Sequence, residues 1–352
     1  MRIAQLASNY YSIPPKASLA IYHLVGLLTK GLVEKGHDVT LYATKNSETS
    51  AKLEYVTDTG TMGAEGIDDM MRARLMHLLI SRCYEESTKG TFDIIHSHFN
   101  LSTAFYAPLV STPTVHTFHS PLLPELVEVL RNYINKAYFI SISLAQRKQL
   151  PELNWAANIY HGVNTMKYTF NPNIGSHLLF MGRVTEDKGA HIAIEVAKAT
   201  GLPLIIAGKS FTKEGYWHKQ IEPHIDGKNI KYVGEPDHQT KINYLKSARA
   251  LLFPVLWEEP FGMVMIEAMS CGTPVVAFKR GSVPEIIKDS LTGYIVKNID
   301  SMVKAVKKID RVDRRACRDR VEQFFRLQVM VNNYEKVYSR IIEEQNAKLA
   351  RK

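Results

Sequence analysis

The stretch that decides the fold reads Phe253-Pro254-Val255-Leu256-Trp257-Glu258-Glu259-Pro260-Phe261-Gly262-Met263-Val264-Met265-Ile266-Glu267-Ala268-Met269 and continues into Ser270-Cys271-Gly272-Thr273-Pro274-Val275-Val276-Ala277. Leu251 to Phe253 close a buried apolar strand, Pro260-Phe261-Gly262 make a turn, and Met263 to Met269 begin a helix. The free N–H groups and dipole at a helix start favour an anion, and a phosphate fits there. Glu267, one turn inside that helix, is placed to accept hydrogen bonds from vicinal hydroxyls such as those of a ribose. Glu259, before the turn, is placed to do the same for a second sugar. This is the outline of a nucleotide-sugar site.

Outward from this stretch the chain alternates apolar strand-like runs with longer amphipathic ones. In the first half the expected strands are Ile3–Ala7, Val39–Ala43, Phe92–His96, Thr114–Thr117, Tyr138–Ser141 and Asn158–Tyr160, with helices near 18–35, 66–88, 122–135 and 143–150. A polar, turn-rich break follows at Asn171-Pro172-Asn173-Ile174-Gly175-Ser176. The alternation then restarts with His177–Met181, Leu204–Ala207, Ile230–Val233, Ala250–Phe253, Val275–Ala277 and Tyr294–Val296. Such alternation predicts an α/β protein with parallel sheets covered by helices on both faces. At 352 residues the chain suits two domains rather than one core. Two Rossmann-like halves are therefore expected, 1–170 and 171–326, with ligands at strand C-terminal ends facing a cleft and a last helix over 327–352.

Composition narrows the function. No apolar run reaches the roughly 18 residues of a membrane span, and the start reads as a strand rather than a signal peptide. Cys83, Cys271 and Cys317 are isolated, which argues against a disulfide framework or a zinc site and fits a reducing cytoplasm. The net charge of +9 is concentrated at the end, where residues 301–352 hold fourteen Lys and Arg against seven Asp and Glu. Lys304, Lys307, Lys308, Arg311, Arg314, Arg315, Arg318 and Arg320 crowd one helical stretch, either a solvated face or a surface for anionic lipid at the inner membrane face, an acidic partner or nucleic acid. No aromatic residues interleave with them, so nucleic acid is not expected. Ala207-Gly208-Lys209-Ser210 ends like a P-loop, but Pro203 stands where the earlier glycine is required. No G-x-G-x-x-G follows the first strand, which removes a nicotinamide-dependent reading.

The Glu259 to Glu267 spacing resembles the E-x7-E signature of the family 4 retaining glycosyltransferases of GT-B fold. The likeness extends through Gly281-Ser282-Val283-Pro284-Glu285-Ile286-Ile287 and Thr292-Gly293-Tyr294, and upstream to Gly182-Arg183-Val184-Thr185-Glu186-Asp187-Lys188-Gly189. It implies a GT-B fold whose last helix crosses back to the first domain, and transfer of a sugar from a UDP- or GDP-sugar to an acceptor hydroxyl with retention. It also implies that Arg183 and Lys188 bind the donor diphosphate, and that Phe261, Gly262, Met263 and Val264 present backbone N–H groups to phosphate and sugar; Lys209, just after strand Leu204–Ala207, is a third candidate by its position alone. Glu259, Arg183, Lys188 and His119 are the candidate catalytic residues.

In the first half, histidines sit at strand ends in Asp93-Ile94-Ile95-His96-Ser97-His98 and Pro113-Thr114-Val115-His116-Thr117-Phe118-His119-Ser120. The resemblance places His119 beside the transferred sugar and His98 near the acceptor. His96 and His116 alternate with them and are expected on the other side of the sheet. No carboxylate or cysteine completes a metal set, and no Asp-x-Asp clamp is present, so no metal and no cofactor are expected.

One departure stands out. Counting back from Gly36-His37-Asp38-Val39, the Gly-Gly pair usual in the family's first loop falls at Leu19-Ala20 here, which alters or narrows the acceptor pocket. Nearby Tyr11-Ser12-Ile13-Pro14-Pro15, with Ala207-Gly208-Lys209 and Val233-Gly234-Glu235, resembles a subgroup that includes tetrahydrobiopterin glucosyltransferases, and Ser12 joins the acceptor-side candidates. The acceptor stays open among a small molecule, a glycan and a lipid-linked compound. Two alternatives also stay open: a GT-B-like nucleotide-sugar epimerase, and a homologue that binds nucleotide sugar without transferring it.

Overall fold

A computed structural model describes residues 1–15, 19–98, 102–211 and 215–351. The chain divides into two units, one made of Met1–Gly162 with Leu327–Lys352 and the other of Val163–Arg326. Each is built on its own parallel sheet.

The first sheet has strands β1 (Arg2–Leu6), β2 (Asp38–Ala43), β3 (Lys52–Tyr55), β4 (Ile94–Ser97), β5 (Thr114–Thr117), β6 (Tyr138–Ser141) and β7 (Trp155–Asn158) in the order β3-β2-β1-β4-β5-β6-β7. Helices α1 (Ala20–Glu34), α2 (Asp69–Thr88) and α3 (Pro124–Leu130) connect them. The second sheet has β8 (His177–Met181), β9 (Leu204–Ala207), β10 (Ile230–Tyr232), β11 (Ala248–Phe253), β12 (Val275–Phe278) and β13 (Gly293–Val296) in the order β10-β9-β8-β11-β12-β13. Its helices are α4 (Ala190–Thr200), α5 (His238–Ser247), α6 (Met263–Ser270), α7 (Val283–Ile286), α8 (Ile299–Lys307) and α9 (Arg314–Phe324). The last helix, α10 (Leu327–Leu349), belongs to the first unit.

In both sheets the strand order turns back at the first strand, between β1 and β4 and between β8 and β11. Ligands of doubly wound sheets bind outside the strand ends at such a point. In the second unit this is where the loops after β8 and β11 meet. The central strands are apolar runs with both faces covered: β4 is buried throughout, and Leu251, Leu252 and Phe253 of β11 are at most 6% exposed. Caps set several helix starts, as where the Asp68 carboxylate accepts from Met71 N–H and Asn298 forms a capping box with Ser301.

Several boundaries differ from the sequence reading. Strand β3 was not foreseen, because it is a short edge strand whose residues are half-buried or exposed and carry little periodicity. At the other edge β7 runs Trp155–Asn158 rather than Asn158–Tyr160, and the 143–150 segment forms a 3-10 turn over Ala145–Gln149. The first residue of the expected 18–35 helix, Ser18, lies outside the described residues.

Helix α10 buries Met330, Val331, Tyr334, Val337, Tyr338 and Ile341. It meets α1 at Gly31, where an added Cβ would stand 2.6 Å from Val331 Cγ2, so the two helices approach more closely than any larger residue permits. The Tyr334 hydroxyl reaches Thr117 Oγ1 at 3.1 Å, and Gln5 Nε2 donates to the Tyr338 hydroxyl at 3.2 Å.

The basic cluster of residues 301–352 is not one surface. Arg314 is buried and donates to the carbonyls of Asn171, Ala248 and Lys246 and to Thr273 Oγ1. Arg318 donates to the carbonyls of Tyr168, Ser270 and Thr165, and Arg320 to those of Ile286 and Glu285. Arginines at a helical spacing read as a charged face, whereas these three turn inward to satisfy backbone oxygens. Lys304, Lys307, Lys308, Arg311 and Arg315 remain exposed. No helix among the described residues is long and apolar enough to cross a membrane.

Candidate functional site

Three loops at the strand ends of the second unit lock together by backbone contacts. Leu256 N–H donates to the Asp187 carbonyl at 2.8 Å, joining the loop after β11 to the loop after β8. Gly189, at φ +76°, lies so close that a Cβ would stand 2.3 Å from the Pro254 carbonyl oxygen. From the loop after β12, Ser282 N–H donates to the Glu259 carbonyl at 2.9 Å and its hydroxyl to the Phe261 carbonyl at 2.6 Å. These bonds fix the backbone that carries Glu259.

The Glu259 carboxylate is largely buried and is met on one oxygen only. Lys188 Nζ is 2.6 Å and Trp257 Nε1 3.1 Å from Oε2, and the Lys188 ammonium sits 4.4 Å from the Trp257 ring centroid. Glu267, four residues into α6, repeats the pattern. Its Oε1 accepts from the Tyr168 hydroxyl at 2.9 Å and from Lys241 Nζ at 2.6 Å. In each carboxylate the second oxygen has no partner among the described residues. A half-satisfied carboxylate held by a cation is a ready acceptor for hydroxyl donors. Burial, with Glu267 beside it, pushes the Tyr168 phenol far above its ordinary range, so it stays a donor.

Gly262 caps α6 in the left-handed region at φ +81°, and no side chain among the described residues caps the N–H groups of Met263 and Val264. Met265 N–H turns back to the Gly262 carbonyl at 3.0 Å. Glycine is required here, because a Cβ would come within 2.6 Å of Met265 Cε in a conformation side chains avoid. Arg183 and Lys209 are exposed, and their strands of chain run side by side, with Val184 N–H bonded to the Lys209 carbonyl at 2.9 Å. Arg183 has no partner among the described residues, and Lys209 only the Phe211 ring, 5.8 Å away. Sequence reasoning missed Trp257, Tyr168 and Lys241. The last two meet Glu267 across 99 and 26 residues of chain, and nothing local announces that.

In the first unit a histidine cluster lies at the ends of β4 and β5. His98 Nδ1 is 3.1 Å from His119 Nε2, its Nε2 is 2.7 Å from Gln5 Oε1, and His119 stacks on His161 at 5.2 Å. His119 Nδ1 is buried without a hydrogen-bond partner among the described residues. Burial holds the imidazoles neutral: His119 falls to about 4 and His116 to about 3, and His96, His98 and His161 lie well below the usual value. His96 does not face away from His98 as expected. Its ring lies 4.1 Å from that of His98, since residues two apart on a strand share a face. His116 points elsewhere, bonded to Thr103 and stacked on Phe139. The Ser12 hydroxyl bonds the Pro14 carbonyl at 3.1 Å. Among the described residues no group of three or more His, Cys, Asp or Glu is arranged to hold a metal ion.

Two families match the chain, each over one half: Glycosyltransferase Family 4 over residues 24–165, and Glycosyl transferases group 1 over residues 171–320. The fold and these matches define the class: the chain is a member of the glycosyltransferases of GT-B fold. Among relatives, the phosphatidyl-myo-inositol mannosyltransferase of Mycobacterium leprae is 26% identical over 87% of this chain and 86% of its own length. An uncharacterised 41.2 kDa protein in the cps region of Klebsiella pneumoniae is 31% identical over 169 residues, 46% of either chain, so that match spans about half of each protein. The Anabaena HepE structure, solved in complex with UDP and glucose, superposes with a TM-score of 0.72 over 96% of this chain and all of that one, at 17% identity.

Proposed function

We propose that the protein is a retaining, metal-independent transferase that moves a sugar from a UDP- or GDP-sugar to an acceptor hydroxyl. The observation that carries this reading is the pair of half-satisfied carboxylates, Glu259 and Glu267, on either side of the uncapped start of α6. The free oxygen of Glu267 suits ribose hydroxyls, and that of Glu259 suits hydroxyls of the transferred sugar. Arg183, Lys188, Lys209 and the N–H groups of Met263 and Val264 would carry the diphosphate charge that builds as the glycosidic bond breaks. The leaving phosphate oxygen would then take the acceptor proton on the same face. His119 and His98 belong to the acceptor side. The neighbour solved with UDP and glucose supports the donor class, and the mannosyltransferase of a phosphatidyl-inositol supports a hydroxylated lipid among the acceptors to try.

The testing experiment is thermal unfolding with UDP, GDP and ADP, because a ligand of the native state raises Tm with concentration over affinity. Incubation with the matching nucleotide sugars and an acceptor panel follows. Release of nucleoside diphosphate that depends on acceptor is expected. Isomerised nucleotide sugar without release would overturn the assignment in favour of epimerisation, and binding without turnover across the panel in favour of a non-catalytic role. The exposed Lys304, Lys307 and Arg311 define the surface to test for salt-dependent sedimentation with anionic vesicles.

A further inference from the structure

Resting on the donor reading above, we propose that Tyr168 and Lys241 are positioning residues that clamp Glu267 for nucleotide binding, fixing Oε1 so that Oε2 alone meets the ligand. Tyr168 follows the 3-10 turn Thr165–Lys167, and Lys241 lies one turn into α5, so the clamp ties two separate segments to one carboxylate oxygen of a third, α6. The α5 side is itself fixed, because Asp237 caps that helix by accepting from Thr240 N–H at 2.8 Å. On the Tyr168 side, Arg318 holds the Tyr168 carbonyl at 2.7 Å and the Thr165 carbonyl at 3.0 Å. The edge of the Tyr168 ring meets the His238 ring at 5.8 Å, closing the clamp from the start of α5.

Such an arrangement does two things at once. A carboxylate on a flexible side chain loses rotamer freedom when a ligand fixes it, and two donors on one oxygen remove that freedom beforehand. Because both donors sit on Oε1, Oε2 keeps its lone pairs for a pair of vicinal hydroxyls. A structural ion pair would place its cation without regard to which oxygen stays open.

The test is a double-mutant cycle on nucleoside diphosphate affinity, read by calorimetry with UDP and GDP. Tyr168→Phe removes one hydroxyl and preserves the packing, and Lys241→Met removes the cation and keeps the stem. Each is expected to weaken the better-bound nucleotide by about five- to tenfold, less than the loss of a direct hydrogen bond to a charged group, because the donor acts through the carboxylate and not on the ligand. In a Glu267→Ala background neither should change affinity by more than about twofold, because each acts through the carboxylate. Equal losses in both backgrounds, or no loss in the wild-type background, would overturn the clamp and leave the donor reading standing. A wild-type protein that binds neither nucleotide would overturn the donor reading, and the clamp with it. Tyr168→Phe is expected to unfold at nearly the wild-type temperature, and Lys241→Met provides an independent arm.

Discussion

Lys188 Nζ stands 2.6 Å from Glu259 Oε2 and 4.4 Å above the Trp257 ring, so the lysine expected on the donor diphosphate is already committed to a carboxylate. The side chains of Lys188 and Glu259 are 16% and 10% exposed. Removing one partner of so sheltered a pair leaves the other charge uncompensated.

Lys188→Ala is therefore expected to lose transfer and also stability, by roughly 2–4 kcal/mol, the lower end reflecting the solvent contact Lys188 keeps. Arg183→Ala should lose transfer with stability unchanged within about 0.5 kcal/mol, since Arg183 is exposed with no partner among the described residues. Urea unfolding beside activity separates the two. A Lys188→Ala protein as stable as wild type would show that the ion pair holds nothing together.

The two carboxylates should divide their labour. Glu267→Gln is expected to weaken nucleoside diphosphate binding at least tenfold, on the scale of a charge-assisted hydrogen-bond pair of roughly 1.5–3 kcal/mol each. Glu259→Gln should lower turnover more than nucleotide affinity. Calorimetry with free nucleotide and steady-state rates would expose the error if both variants bound nucleotide equally weakly.

Stability should fall on acidification before the carboxylates titrate. His96, His98, His116, His119 and His161 are held neutral by burial, so the unfolded chain binds more protons wherever pH is below its imidazole value of about 6.5. The stability is complete above that pH and is lost progressively below it, down to about 4 for His119 and about 3 for His116. For His116 alone the loss is roughly 2 kcal/mol between pH 6.5 and 5. His119, which keeps some exposure at its edge, contributes least. A melting temperature that is flat from pH 7 to 5 would contradict this account.

Gly281→Ala is expected to damage the site without touching a charged residue. At φ +49° its added Cβ would stand 2.1 Å from the Glu259 carbonyl oxygen and 2.6 Å from the Glu259 nitrogen. Backbone must move to relieve that contact. A fall in Tm with a disproportionate loss of turnover should result, and full activity would show that the Glu259 backbone is not held as described.

Much of the fold was legible because its signals are local. Buried strands such as Leu204–Ala207 and His177–Met181 announce themselves as apolar runs between turns, and their bounds agree with the structure. Edge strands such as Lys52–Tyr55 bury too little to leave a pattern. The turn and helix around Glu259 and Glu267 were readable from Pro260, Gly262 and the apolar run behind them. The oxygen each carboxylate keeps free was not, since it depends on Tyr168, Lys188, Lys241 and Trp257, set by folding alone. The face of His96 was misassigned although a two-residue count from His98 decides it. Arg314 shows the limit of charge patterning: a residue's charge is in the sequence, but the four oxygens that claim it are not.

Because α10 belongs to the first unit while residues 163–326 form the second, the first unit is assembled from both ends of the chain. During synthesis the second unit has all its residues before the first does. Tyr334 and Tyr338, which Thr117, Gln5 and His96 await, leave the ribosome more than three hundred residues after the first of these partners to emerge, Gln5. The contacts that cover His96 are thus made only after the second unit is complete, and a chain cut short before α10 would lack both tyrosines that pack on its ring.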